Sequence, residues 1–97
     1  MPKAYWIARI DVTQPERYSE YVEAASPAYK EFGAKFIVRG GAIGGGEGEN
    51  RGRNVVIEFA SMDDALGCYN CDQYAKARAI RQEISVGELV IVEGFDG

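Results

Sequence analysis

The chain has 97 residues, 46% of them hydrophobic and 27% charged, with a net charge of −4 and no histidine. That balance predicts one folded domain over residues 1–97 and argues against disorder, while the net negative charge without a basic run argues against a nucleic-acid partner. No apolar run exceeds five residues, as in Ala4–Ala8, so no segment is long enough to span a membrane, and the missing histidine removes the commonest metal ligand and the usual neutral-pH base.

The N-terminal residues lack the long apolar stretch of a signal peptide, so a cytoplasmic location is expected. From Ala4 to Val12 the pattern alternates, which predicts a strand with Trp6, Ala8, Ile10 and Val12 on one face. Tyr5, Ile7, Arg9 and Asp11 fall on the other. Thr13 and Glu16 have capping-box spacing, and Pro15 suits a first helical turn. Tyr18, Tyr21, Val22, Ala25, Tyr29 and Phe32 then form an apolar helical stripe. Ser26-Pro27 predicts a kink or a restart, and Gly33 a stop.

Residues 34–41 read as a second strand, with Phe36 and Val38 opposed to Ile37 and Arg39. Residues 40–52 contain seven glycines, and residues 54–60 read as a third strand. There Val55, Ile57 and Phe59 oppose Val56, Glu58 and Ala60. Ser61 and Asp64 form a capping pair for a helix that presents Ala65, Leu66, Cys68 and Tyr69. The chain breaks near Asn70 and restarts as a helix over 72–84, where Tyr74, Ala77, Ala79 and Ile80 can pack. Residues 88–95 read as the last strand. The order strand, helix, strand, strand, helix, strand predicts an α+β, ferredoxin-like βαββαβ domain: a four-stranded antiparallel sheet with helices on one face. The other face keeps Tyr5, Ile7, Ile37 and Val56, which predicts burial against a second copy in a homodimer.

The segments YWIARIDVT, Arg39–Gly41, Glu47-Gly48, RNVVIEF, CYNCDQY and Val92–Gly94, in that order, resemble the domain of unknown function 1330 family of the dimeric α+β barrel superfamily. The likeness runs over nearly the whole chain. It implies a small dimer with a cleft between sheets and helices, and no established reaction. The superfamily includes cofactor-free monooxygenases, lactone isomerases, haem-dependent enzymes and binding proteins, so fold alone does not assign a function. The chain departs from the family pattern at Ala60, in place of proline, at Gly46, in place of a bulky residue, and at Cys71, in place of serine.

The alternation places Arg9, Asp11, Arg39 and Glu58 on the strand face away from the helices. One reading is ion pairing that closes the cleft or sets dimer register. The other is a pocket for a carboxylate or carbonyl compound, in which Arg9 or Arg39 grips the anion, Tyr5 and Tyr69 donate hydroxyls, and Glu58 accepts a proton. The corresponding activity is a cofactor-free proton transfer or isomerisation; the alternatives are a non-enzymatic ligand-binding dimer and a structural dimer. Arg81 and Glu93 read as surface or element-end charges. The glycine-rich loop lacks a phosphate-binding motif and joins two strands, so it reads as a hairpin connection, with a lid as the alternative. A redox dithiol wants its nucleophile at a helix start, a place Cys71 has and Cys68 lacks; two cysteines without histidine do not complete a zinc site within one chain, and helical spacing disfavours a disulfide, so packing is the preferred reading. No metal and no cofactor is expected. Tyr69 and Tyr74 are placed to border the cleft.

Overall fold

The computed structural model describes residues 2–95. Strand β1 is Ala4–Val12, and its faces follow its alternation: Ala4, Trp6 and Ile10 are buried, whereas Tyr5, Ile7 and Arg9 are half-covered. A single 3₁₀ turn, Pro15–Arg17, leads into helix α1, Tyr18–Phe32. The expected Thr13–Glu16 capping box does not form. The Thr13 and Gln14 N–H groups donate instead to the Ile84 carbonyl, at 2.7 and 3.2 Å, so a tertiary contact occupies the local capping position. Helix α1 continues through Pro27, and no restart occurs at Ser26. Proline removes one N–H, and the buried Tyr21, Ala25 and Ala28 hold the helix to the sheet on either side of it. Gly33 ends the helix in the left-handed conformation at φ 68°, and the Ala34 N–H donates to the Tyr29 carbonyl at 2.9 Å.

Strands β2, Lys35–Arg39, and β3, Arg53–Phe59, pair antiparallel. Phe36 lies opposite Ile57, Val38 opposite Val56 and Arg39 opposite Val55, so a bulge at Ile37 breaks the alternation. One extra residue switches every following side chain to the other face. Val38 therefore joins the open face, and Arg39 turns to the helix side. This corrects the expectation that Arg39 shares a face with Arg9 and Glu58.

Helix α2, Met62–Asn70, begins at Ser61, whose hydroxyl accepts the Asp64 N–H at 3.1 Å. Ala65 and Cys68 are buried, while Leu66 faces solvent, against the expectation that it packs. Helix α3, Asp72–Ile84, follows after Cys71 and buries Tyr74, Ala77, Arg81 and Ile84. Ala79, expected to pack, is exposed. Strand β4, Ser85–Glu93, follows without a loop and pairs with β1.

The sheet order is β2-β3-β1-β4, antiparallel throughout, with the helices on one face. This is the expected ferredoxin-like arrangement, its second helix divided into α2 and α3. Trp6 anchors the core between sheet and helices. Its ring centroid lies 4.9 Å from Tyr74, 5.3 Å from Phe59 and 5.6 Å from Tyr69, and its indole N–H donates to the Ala65 carbonyl at 3.0 Å. Burying each large side chain of this kind contributes about 1.5–3 kcal/mol. No helix among the described residues is long and apolar enough to cross a membrane.

Candidate functional site: an arginine-lined cleft

The helix-covered face of the sheet is organised in rows of paired residues. One row is Phe36, Ile57, Trp6 and Ile91, filled by large side chains. The next is Arg39, Val55, Ala8 and Leu89, and its two middle members are small. A cleft opens over this second row and is roofed by Tyr18, Tyr21, Val22 and Tyr29 of α1 and Arg81 of α3. Its interior is narrow, with room for only a few water molecules, and the atom-free space reaches ≈ 530 Å³ only when solvent at the open mouth is counted. The lining is mainly aliphatic and aromatic. Its charged members are Arg39, Arg53 and Arg81, and no Asp or Glu lines it.

Each arginine is held differently. Arg39 is exposed and lies over the Phe36 ring, 4.1 Å from its centroid. Arg53 is half-buried, stacks on Tyr18 at 4.8 Å and donates Nε–H to its hydroxyl at 2.8 Å. Arg81 is only 9% exposed, and its Nε–H has no hydrogen-bond partner. A guanidinium stays protonated in a protein, so this is a buried cation with an unused donor. Of the two readings of Arg81, this overturns the surface charge, while the helix-end place holds, since Arg81 lies in the last turn of α3. The spacing carried the signal: Tyr74, Ala77, Arg81 and Ile84 form one buried helical stripe.

Behind the cleft the Tyr21 hydroxyl lies 2.9 Å from those of both Tyr29 and Tyr74. Burial is the first cause that pushes the Tyr21 and Tyr29 phenols above the ordinary tyrosine range, and neighbouring Tyr74 adds to it. Both remain protonated at neutral pH, so they serve as hydrogen-bonding groups and not as bases.

The other expected site residues disperse. The Tyr5 hydroxyl donates to Glu58 Oε1 at 3.1 Å, and Lys3 Nζ lies 3.6 Å from the same oxygen. Both Tyr5 and Glu58 stand on the open sheet face, away from the cleft. Arg9 donates to Asn54 Oδ1 at 3.2 Å and to the Glu49 carbonyl at 2.7 Å. Tyr69 packs edge-on to Trp6, with the Arg78 guanidinium 4.9 Å from its ring centroid. Tyr74, expected to border the cleft, is fully buried behind it and meets the lining residue Tyr21 through its hydroxyl. Thus Arg39 alone of the expected ligand-binding set lines the cleft.

The glycine-rich loop serves the open face. Arg51 ties it down through Asp11 at 2.9 Å and Glu88 at 2.7 Å, and the Gly52 N–H donates to Asp11 at 2.8 Å. Arg53 turns to Tyr18, and Glu49 pairs with Arg51 at 3.4 Å. Residues 41–47 line a separate concavity with Arg9 and Asn54. Cys68 is buried, and burial pushes its thiol up to about 12. Cys71 Sγ accepts the Tyr74 N–H at 3.4 Å as the cap of α3. Both thiols are free. Among the described residues no cluster of three or more metal-ligating side chains occurs.

Solved structures share this architecture. A protein of unknown function from Rhodopseudomonas palustris has a TM-score of 0.77 at 15% identity, over 99% of this chain and 85% of that one. SnoaB, a cofactor-independent oxygenase from Streptomyces nogalater, has a TM-score of 0.66 at 9% identity, over 100% of this chain and 97% of that one. A dimeric ferredoxin-like protein of unknown function from Thermobifida fusca has a TM-score of 0.62 at 18% identity, over 96% of this chain and 90% of that one. At these identities the likeness establishes fold. No curated protein matches the chain. The family is established by sequence: residues 3–95 match the model described as Domain of unknown function (DUF1330), and the chain belongs to that family.

Proposed function

We propose that the protein binds a small organic carboxylate or carbonyl compound in the cleft between sheet and helices. One observation carries the reading: Arg39, Arg53 and Arg81 line an otherwise apolar cleft with no carboxylate among its lining residues. Elsewhere Arg17 pairs with Glu20 and Glu83 and Arg51 with Asp11 and Glu88, while Arg9 and Arg78 donate to amide or backbone carbonyl oxygens. A buried guanidinium with an unused donor is costly, and a carboxylate placed against it removes that cost. The aliphatic walls suit the carbon body of such a ligand.

The lining contains no His, Asp or Glu, which supports binding over protein-catalysed proton abstraction. Glu58 is turned away with Tyr5 and Lys3, which supports its ion-pairing role. Titration calorimetry with benzoate and short aliphatic carboxylates is the direct test. Binding should weaken about tenfold or more in Arg81→Gln and be unchanged in Glu58→Gln. Loss of binding in Glu58→Gln, with Arg81→Gln silent, would move the site to the open face.

The same reading makes the protein a homodimer joined through the open sheet face. Val38, Val56, Ile7 and Val90 form an apolar row across all four strands, and Val38 and Val90 are 42% and 52% exposed. A second copy covers such a face by two-fold symmetry. The Thermobifida fusca protein of this fold is described as dimeric, which favours the assignment. The free thiols fit a reducing, cytoplasmic compartment.

A further inference from the structure

The cations of the cleft stand at two separated stations. Arg39 sits on edge strand β2, and its paired row crosses the sheet through Val55 and Ala8 to Leu89 on the opposite edge strand, β4. Three strand spacings separate the ends of this row, about 14 Å between backbones. Arg81 stands over the Leu89 end. Arg81 and Leu89 also line a surface depression beyond, so together they form the wall that closes the cleft on the β4 side. Arg53, opposite Ile10 in the next row, joins Arg39 towards the β2 side. Between the two stations the floor is Val55 and Ala8, small and uncharged.

A ligand with one acidic group satisfies one station and leaves the other bare. We propose, building on the carboxylate-binding reading above, that the cleft is specific for an elongated organic dianion with an acidic group at each end of an apolar body. Arg81 holds the inner group, using the Nε–H that has no protein partner. Arg39 and Arg53 hold the outer group at the mouth. Tyr74 already hydrogen-bonds the Arg81 guanidinium, so the Nε–H is the donor left for a carboxylate, and the apolar surroundings strengthen the contact. Ala8 makes room for the ligand body, because a longer side chain there would fill the trough that joins the stations. The outer arginines rest on aromatic faces, Arg39 on Phe36 and Arg53 on Tyr18, which holds their planes without using a carboxylate of the protein.

The test is titration calorimetry with the unbranched dicarboxylates from succinate to sebacate, each beside the monocarboxylate of matching length. One diacid length should bind about tenfold or more tighter than its monoacid. Arg81→Gln and Arg39→Gln should each bring that diacid down to monoacid affinity. Ala8→Leu, which keeps every arginine, should abolish binding of both and guards against misreading a folding defect in Arg81→Gln; thermal melts check that each variant is folded. Equal affinity of diacid and monoacid overturns the dianion inference and leaves the cleft reading standing. Absence of binding by any acid of either kind overturns both.

Discussion

Cys71 sits at the joint of two helices, with backbone ψ at 157°, and its sulfur accepts the Tyr74 N–H while its thiol points to the Cys68 carbonyl 3.1 Å away. It therefore performs the work of a capping hydroxyl with a weaker acceptor. Cys71→Ser should raise stability by about 0.5–1 kcal/mol, read as a higher midpoint in urea. A drop of that size would show that the sulfur's packing outweighs the cap. Its neighbour Cys68 is closed in the core with its thiol held protonated, so Cys68 is not a ready nucleophile. The CYNCDQY stretch is a helix joint, and its Tyr74 hydroxyl supports the cleft only from behind, through Tyr21.

At the scale of elements, β4 depends on one residue without a side chain. Gly87 lies opposite Ile10 at φ 154°, and a Cβ there would run into the Arg9 carbonyl and the Ile10 Cα. Those are backbone atoms of the central strand and cannot swing aside. Gly87→Ala should cost about 2 kcal/mol or more and loosen the β1–β4 pairing, seen as a lower melting temperature and faster exchange of β4 amides. An unchanged melt would mean that the strand has freedom to shift.

The glycine-rich loop is latched by Asp11. The Gly52 N–H is the first cause that lowers the Asp11 carboxyl, and the Arg51 hydrogen bond is the second. A depressed folded-state pKa contributes stability that is full above the unfolded value of about 3.9 and is lost as pH falls through the lower folded value. The Gly52 amide resonance should therefore move in that acidic window, and at neutral pH Arg51→Ala should shift it with little change in the thermal melt. A Gly52 resonance indifferent to both changes would remove the latch.

At the scale of the whole molecule, the two sheet faces divide the labour. The helix side holds the core and the cleft; the open side holds the apolar row proposed to meet a second copy. Ile7 is central to that row, between Val56 and Val90. Ile7→Glu should leave the circular dichroism spectrum unchanged and yield a 10.6 kDa monomer in sedimentation, where the proposed wild-type dimer should sediment at twice that mass. A wild-type monomer at micromolar concentration would sink the dimer.

What the sequence by itself determined was local: strand alternation from Ala4 to Val12, the capping of α2 at Ser61, the restart at Cys71, the element order and hence the ferredoxin-like sheet. Each of these follows from side chains a few residues apart. The placement of Arg39 was not legible, because a bulge at Ile37 is a matter of register between two strands, and one extra residue reverses the face. Nor was the pairing of Glu58 with Tyr5 and Lys3, groups more than fifty residues from it in the chain. Arg81 lay between these limits: its helical spacing pointed inward, its charge argued outward, and only the packing of α3 over Leu89 decided between them. Tertiary structure settled the cleft because its floor and roof come from separate strands and helices, and no local periodicity records which of their side chains meet.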